Sequence, residues 1–239
     1  MLRAEARGQP LEFDTVGLVG GNEVFKDRQT GTRWQQSSLQ GIDGPLKGEH
    51  LQLFPFLLTN WAEWRRLHPD TLVLKPLPGY AERIPTMNAI IRQGLSGKGE
   101  APDGVLRHDD RLPAKQMVVG LDFRGVSKAF PLSVLRQARV INDKFGIEPV
   151  AIIHQPDSDT TTAFVARAKG RNLRFRETDD QVKELIDQET SSRWNPFGLC
   201  VSGKLRGSQL ELLILEPEYW FAWSEFHPDT EVYQAVPAK

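Results

Sequence analysis

Cysteine is nearly absent from this sequence: Cys200 is the single cysteine among 239 residues. One cysteine excludes an intrachain disulfide and a metal cage built from cysteines. The surrounding Gly198–Val201 run is typical of a strand, so we expect a buried and unreactive thiol.

Excess charge of one sign and long apolar runs are also lacking. The formal net charge is −1, and the sequence pI is about 6.5. Such a balance gives no overall field that would attract nucleic acid or an anionic membrane. The longest apolar run, Leu210–Leu215, contains Glu211 and is far too short to span a bilayer. Residues 1–8 lack the apolar core of a secretion signal. We therefore expect no nucleic acid partner and no membrane span, while compartment and cofactor stay open.

A long phrase occurs twice in the chain. Trp61–Val73 matches Trp220–Val232 at a constant offset, since Trp220 lies 159 residues after Trp61. All six tryptophans fall on paired positions. Further matches extend upstream: Gly44–Leu53 with Gly203–Leu212, Asp27–Trp34 with Asp187–Trp194, and the shorter Leu11–Phe13 with Leu173–Phe175. Self-similarity at a fixed spacing predicts an internally duplicated architecture.

Strand patterns outnumber helix patterns. Runs rich in Val, Ile, Phe and Thr, separated by turn residues, predict a mostly β protein with a few short helices, of the α+β class. The predicted strands are 16–19, 24–25, 50–54, 118–123, 128–130, 149–153, 161–165, 173–175, 199–201 and 210–215. Helices are predicted at 131–138 and at the two Trp phrases, with Asn60 as one cap and Glu216–Pro217 as the other entry. The spacing of Trp61 and Trp64, and of Trp220 and Trp223, favours core positions on one helical face.

The repeats divide the chain into three parts. Residues 1–75 form the N-terminal repeat, 76–115 a Pro/Gly-rich connecting segment, and 116–239 the complete C-terminal repeat. The counterpart of the patterned stretch 118–167 would fall before Met1, so we expect the N-terminal repeat to lack its opening half. An open sheet edge must be covered. The candidates are the connecting segment near 87–91, self-association, or a partner strand.

Several phrases resemble one prokaryotic family. Asp27–Gln36, Gly44–Gly48 and Trp61–Thr71, with the later Val119–Leu121, Ala129–Leu132 and Val140–Asp143, are similar to the family catalogued as domain of unknown function 3179. The resemblance covers nearly the whole chain. It implies a β-rich, internally duplicated fold in members that are often exported, and it implies no established activity.

One departure from the family concerns chemistry. The resemblance implies a Cys-Pro-x-Cys-like segment after the strand that follows the Asn-Asp turn of the first repeat. This chain lacks that part, and the matching place in the C-terminal repeat reads Ile153–Asp157 without cysteine. Thiol or metal chemistry at that place therefore does not carry over.

The two Trp phrases offer the first candidate catalytic residues, His68 with Asp70 and His227 with Asp229. An imidazole for proton transfer and a carboxylate to orient it could lie beside an aromatic wall. The alternative, which we favour, is that His-Pro-Asp-Thr ends a helix, with the Asp side chain accepting a local N–H.

The second candidate is a metal site at His154, Asp157 and Asp159. One nitrogen and two carboxylates could begin a hydrated divalent-metal site. A polar β-turn is the favoured alternative. The mixed-sign stretch Arg107–Arg111 is predicted to be a solvated face of the connecting segment.

The third candidate is ligand binding at Arg33 with Trp34 and at Arg193 with Trp194. A guanidinium fork could bind an anion. The favoured alternative pairs these arginines with Asp27 and Asp187.

These features favour a non-catalytic binding or structural module, because the scaffold is duplicated and no convergent catalytic set is evident. The alternative is a hydrolase or redox enzyme that uses a His/Asp site, with metal assistance. No Gly-rich phosphate loop or Gly-x-Ser-x-Gly motif is present.

Overall fold

The computed structural model describes residues 2–75, 77, 79–95, 97–178 and 184–234. Over these residues the protein is mostly β with a few helices, which confirms the predicted β-rich α+β class. The helices are α1 (Trp61–Leu67), α2 (Ile84–Leu95, which follows a 3-10 turn at Ala81–Arg83), α3 (Leu132–Ala138) and α4 (Trp220–Phe226).

The strands are short. Those before α1 are β1 (Leu2–Arg3), β2 (Glu5–Ala6), β3 (Gln9–Pro10), β4 (Phe13–Val19), β5 (Asn22–Asp27), β6 (Arg33–Gln35), β7 (Gly41–Asp43) and β8 (Gln52–Leu53). Those after α2 are β9 (Met117–Phe123), β10 (Val126–Pro131), β11 (Val140–Phe145), β12 (Glu148–Gln155), β13 (Thr160–Val165), β14 (Arg167–Ala168), β15 (Arg171–Asn172), β16 (Phe175–Glu177), β17 (Leu185–Asp187), β18 (Arg193–Trp194), β19 (Cys200–Ser202), β20 (Glu211–Leu212), β21 (Glu216–Tyr219) and β22 (Glu231–Val232).

Two compact units are each assembled from separate stretches of chain. The first unit comprises Met1–Phe54, Pro76–Val118 and Pro217–Glu231, and the second comprises Pro55–Lys75, Val119–Glu216 and Val232–Lys239. Helix α1 therefore belongs to the second unit and α4 to the first. The sequence division at 1–75, 76–115 and 116–239 concerns repeats, and it stays a prediction.

The first unit contains the antiparallel sheet β4-β5-β6-β7 and the two-stranded sheets β1-β8 and β2-β3. Its buried residues include a core cluster of Ala6, Leu11, Trp34, Leu46 and Leu51, and the buried side chains of α4. Strand β4 contributes little to this core, because all its residues after Phe13 are exposed.

The second unit contains the antiparallel sheets β11-β12-β13-β20 and β16-β17-β18-β19, and the pair β14-β15. Successive residues of a strand face opposite sides of a sheet. In β12, Ile152 accordingly joins one buried cluster and Ile153 the other. Cys200 lies in the second of these clusters, so its predicted burial is confirmed.

A further four-stranded sheet has the order β21-β9-β10-β22. Near β9 the N–H of Trp220 donates to the carbonyl of Gln116 over 2.8 Å. Beyond β22 the N–H of Tyr233 donates to the carbonyl of Ala129, also over 2.8 Å. In the C-terminal repeat, therefore, the segments on both sides of the Trp helix are strands.

Three local predictions are wrong. Glu216 and Pro217 do not open a helix: they belong to β21, and α4 begins only after Tyr219 as its N-cap. The run of polar residues and glycine from Asp143 to Gly146 predicts a turn there, but β11 continues to Phe145 and the turn begins later. The connecting segment contains α2, which the sequence reading did not predict.

The tryptophans divide by exposure. Trp34, Trp194, Trp220 and Trp223 are completely buried, whereas Trp61 is 51% and Trp64 41% exposed. The prediction that Trp61 and Trp64 are core residues is therefore wrong. Helix α1 buries only Glu63 among its own residues.

Candidate functional site

The loop between β5 and β6 is held by one buried carboxylate. Asp27 Oδ1 accepts the N–H of Thr30 over 2.5 Å, and Oδ2 accepts the Thr30 hydroxyl over 2.9 Å. Oδ2 also accepts the indole N–H of Trp34 over 2.8 Å. The ring of Trp34 stands edge-on to Phe13, with 6.5 Å between centroids.

The loop between β17 and β18 contains the same bonds. Asp187 Oδ1 accepts the N–H of Thr190 over 2.5 Å, and Oδ2 accepts the Thr190 hydroxyl over 3.0 Å. The indole N–H of Trp194 donates to Oδ2 over 2.8 Å, and its ring stands edge-on to Phe175 at 5.6 Å. Both carboxylates thus serve as internal acceptors for a loop and a core indole.

Charge on Asp27 is compatible with its burial. Burial raises the pKa of Asp27, but hydrogen bonds from Trp34, Thr30 and Gly31 together bring that pKa below its ordinary value. The carboxylate therefore stays ionised, because the donors replace the water it has lost.

Asp27 and Asp187 receive their described hydrogen bonds from their own loops and from the two indoles, so the ion pairs expected with Arg33 and Arg193 stay a prediction. Neighbouring residues in a strand point to opposite faces, so a buried Trp34 or Trp194 directs the preceding arginine outward. Arg193 Nη1 lies 3.1 Å from Glu184 Oε2. Trp34 and Trp194 themselves are completely buried. The geometry at the third candidate site thus favours packing over ligand binding.

Residues of the second Trp phrase close the end of α4. Trp223 Nε1 donates to Thr230 Oγ1 over 2.9 Å, and the ring of His227 stacks on Trp223 with 3.7 Å between centroids. The N–H of Thr230 donates to the His227 carbonyl over 3.0 Å. Trp223, His227 and Thr230 are thus used locally to end the helix.

The first Trp phrase repeats these contacts at α1. Trp64 Nε1 donates to Thr71 Oγ1 over 3.0 Å, and the His68 ring lies 4.2 Å from the Trp64 ring. The N–H of Thr71 donates to the His68 carbonyl over 3.1 Å. Asp70 and Asp229 are both exposed.

The turn between β12 and β13 places His154 beside two polar groups. His154 Nδ1 lies 3.0 Å from Thr161 Oγ1, and Nε2 lies 3.5 Å from Asp159 Oδ1. Arg136 donates to both oxygens of Asp159, over 2.9 and 2.5 Å. Burial lowers the pKa of His154, with Asp159 opposing and Arg136 reinforcing this effect. The imidazole is therefore neutral near pH 7 and could accept a proton.

Three buried polar atoms at this turn have no hydrogen-bond partner among the described residues: His154 Nε2, Gln155 Nε2 and Ser158 Oγ. Of the candidate metal ligands, His154 and Asp159 lie close together, with 3.5 Å between Nε2 and Oδ1. Within the described ranges, no group of three or more His, Cys, Asp or Glu side chains is arranged to hold a metal ion.

A cleft of about 330 Å³ in the first unit is lined by Arg107–Ala114, Trp220 and Phe221. Trp220 Nε1 donates to the Asp109 carbonyl over 2.8 Å, and the Arg111 guanidinium lies 5.1 Å from the Trp220 ring centroid. From the sequence, Arg107–Arg111 were predicted only as a solvated face of the connecting segment. The sequence signal for this cleft is the clustering of Arg and Asp in residues 107–111. Their contact with Trp220, which is more than 100 residues away, is visible only in the fold.

A search of family models matches residues 2–230 to the family described as "Protein of unknown function (DUF3179)". The chain belongs to this family, as the sequence resemblance implied. Neither the curated proteins nor the solved structures gave a match. No helix within the described ranges is long and apolar enough to cross a membrane.

Proposed function

We propose that this protein is a non-catalytic binding or structural module built on an internally duplicated β scaffold. The observation that carries this proposal is the set of contacts made by the two His-Pro-Asp-Thr phrases. In each, Trp bonds to Thr and His packs on Trp. Residues that could have formed a catalytic set are instead used to end two helices.

Shared hydrogen bonds support the duplication. The Asp27 and Asp187 loops have the same donors at matched positions. Upstream, Leu2–Arg3 pairs with Gln52–Leu53 as Phe164–Val165 pairs with Glu211–Leu212. The hairpins β2-β3 and β14-β15 then follow, at the 162-residue spacing that separates Leu11 from Leu173.

Exchange of matched segments tests the duplication. A chain in which residues 27–34 are replaced by the sequence of 187–194 should fold with an unfolding midpoint near that of the native chain. As a control, the same insertion shifted by one residue should unfold the first unit, because it reverses which side chains face the core. Equal stability of the matched and shifted chains would contradict the duplication.

The proposal includes a tryptophan-rich core, a prokaryotic source and a protein partner. Four indoles are buried, while Trp61 and Trp64 remain open to a partner. With a net charge of −1, nucleic acid is not expected among the partners. Self-association or the docking of a partner strand on the N-terminal repeat is the kind of binding we expect.

A hydrolase or redox enzyme remains the second candidate, and one observation favours it. His154 is buried and neutral, contacts the Thr161 hydroxyl, and faces Asp159 with an unbonded Nε2. A hydroxyl, an imidazole and a carboxylate in series can relay a proton.

Turnover assays separate the two candidates. The wild type and the variants His68→Ala, His227→Ala and His154→Gln should be tested against panels of esters, phosphoesters, peptides and redox dyes. We expect equal background rates throughout. Any turnover that His154→Gln abolishes while its unfolding midpoint stays unchanged would contradict the binding proposal and favour the enzyme.

A further inference from the structure

We propose that residues 57–74 of the second compact unit are a docking site for an antiparallel β-hairpin presented by a partner protein. This inference rests on the proposed binding function and names the surface and the shape of the partner. It comes from comparing two segments of the same chain that share their local structure and differ in what covers them.

The segment is already folded in the form that α4 has. Asn60 caps α1 by accepting the Glu63 N–H over 2.9 Å, and Trp64 donates to Thr71. Two bonds fix its start on the turn between β12 and β13. Asn60 Nδ2 donates to the Asp157 carbonyl over 3.0 Å, and Thr160 donates to the Thr59 hydroxyl over 2.8 Å. A partner would therefore meet a preorganised surface.

Strand pairing distinguishes the two segments. In the C-terminal repeat, β21 precedes the helix, β22 follows it, and both pair within a sheet whose central strands are β9 and β10. In the N-terminal repeat, residues 54–60 and 71–75 are described but belong to no strand. The flanks of α1 therefore match, in sequence position, the two strands that flank α4, but no described strand pairs with them.

Exposure follows the same contrast. Tyr233 packs on Phe130 with 5.2 Å between centroids, and its N–H donates to Ala129. Its counterpart Leu74, 159 residues earlier, is 90% exposed, and Leu72 is 95% exposed. Trp61 and Trp64 are the exposed counterparts of completely buried indoles.

The composition of residues 57–74 is not typical of a solvent-exposed surface. Leu57, Leu58 and Leu72 occupy the positions at which the C-terminal repeat has Glu216, Pro217 and Glu231. The uncovered segment is therefore more apolar than its covered counterpart at these positions. Contiguous exposed apolar residues mark interaction sites on soluble proteins.

These contrasts define the partner's chemistry. It presents two antiparallel strands with free outer edges, so that one pairs with residues 57–60 and the other with residues 72–74. Where it meets Leu74 it presents an aromatic or aliphatic residue, as β10 presents Phe130 to Tyr233. Addition of strands to exposed edges is a recurring mode of protein recognition.

A hairpin with this chain's own sequence is the probe. A disulfide-closed peptide containing residues 114–132, verified as β by circular dichroism, is titrated into the full-length protein. Hydrogen exchange of residues 57–74 is followed by mass spectrometry. As a second arm, the same hairpin is joined to the C terminus by a Gly/Ser linker, which raises its effective concentration to about the millimolar range.

We expect saturable protection of 57–60 and 71–75, with exchange slowed about tenfold or more. Leu72→Asp and Leu74→Asp should weaken binding by about tenfold or more, because both side chains would face the hairpin. Ile147→Asp is the matched control: it changes an equally exposed aliphatic residue of the same unit, 88% exposed, and should bind as the wild type does.

The remaining outcomes are decisive too. No protection in either arm, or equal loss with Ile147→Asp, overturns the hairpin site. A dimer of the wild type that Leu74→Asp dissociates, without hairpin protection, replaces the hairpin by a second copy and leaves the proposed binding function intact. An enzyme activity dependent on His154 would instead remove the proposed function, whatever the peptide does.

Discussion

Buried carboxylates explain why two loops of this protein have the same sequence pattern. An ionised group without water is costly unless donors replace the lost hydration. Asp27 and Asp187 each receive a backbone N–H, a hydroxyl and an indole N–H. A change in any one of these donors leaves the acceptor undersatisfied. Such interdependence restricts the loop to Asp, Thr and Trp at fixed spacing.

Replacing Trp194 with Phe should lower the free energy of unfolding by roughly 1–3 kcal/mol, because the buried Asp187 loses a donor while most of the aromatic packing is kept. Urea unfolding followed by circular dichroism measures the change. Trp61→Phe is the control, since that indole is half exposed, and should change stability by no more than about 0.5 kcal/mol. Equal effects of the two changes would contradict this account of the Asp187 loop.

Glu218 should make stability depend on pH. Burial raises the pKa of Glu218 to about 7, although the Ser37 hydroxyl, which donates to both carboxylate oxygens over 3.0 Å, opposes the rise. The folded state then holds a proton that the unfolded chain releases at lower pH. Stability should therefore be highest below the unfolded pKa and fall as the pH rises from about 4.5 to about 7, by at most roughly 3 kcal/mol.

Thermal unfolding of Glu218→Gln against the wild type, at several pH values across this window, measures that contribution. The variant should lose this part of the slope and gain stability over the wild type at pH 8. Parallel curves for the two proteins would show that Glu218 does not titrate within this window.

At the level of elements, helices α1 and α4 show what a sequence can and cannot specify. The cap at Asn60 and the stop at His68-Pro69 are local, and they predict the helix. The bond from Trp64 to Thr71, which only the structure shows, is local too. The exposure of Trp61 and Trp64 is not local. Their exposure depends on whether another part of the fold packs against the helix, and the seven residues of α1 do not specify that.

Strand ends were harder to predict where polar residues are paired at long range. Asp143 is predicted to begin a turn, yet it lies within β11, as does Asn142. Asn142 exchanges two hydrogen bonds with the backbone of Phe175, over 2.8 and 2.7 Å, and Asp143 pairs with Lys128 at 2.8 Å. These partners are distant in sequence, so local patterns could not identify them. The orphaned atoms around His154 were likewise beyond prediction, although His154 itself was a candidate.

A matched pair of threonines tests the helix-end contacts. Thr230→Val should cost roughly 1–3 kcal/mol, because it leaves the buried Trp223 indole N–H without its acceptor. Thr71→Val removes the same bond from the partly exposed Trp64, where water can replace it, so its cost should be no more than about 0.5 kcal/mol. Chemical denaturation of both variants gives the comparison. A larger loss at Thr71 would mean that the α1 segment is covered in solution.

At the level of the whole molecule, the compact units differ from the sequence repeats. Helix α1 belongs to the second unit and α4 to the first, although the predicted N-terminal repeat contains α1 and the predicted C-terminal repeat contains α4. The sequence indicated the repeats through offsets of 159 to 162 residues, but offsets contain no information about which stretches pack together. The first unit has a core cluster of five residues, whereas the second has two clusters of twelve each.

The difference in core size should appear in hydrogen exchange, and two amides make the comparison sharp. The Asp27 N–H donates to the Thr32 carbonyl over 3.0 Å, and the Asp187 N–H donates to the Ser192 carbonyl over 3.1 Å. The local bonds are therefore alike, while the surrounding cores are not. Because exchange of a buried amide requires an opening of its surroundings, Asp27 should exchange about tenfold or more faster than Asp187. Amides across 16–25 should likewise exchange faster than those of the C-terminal repeat. Amide exchange followed by NMR gives both rates, under conditions where closing of the local structure is much faster than exchange from the open state. Equal and strong protection of the two amides in a monomer would show that the small core of the first unit is as stable as the large core of the second.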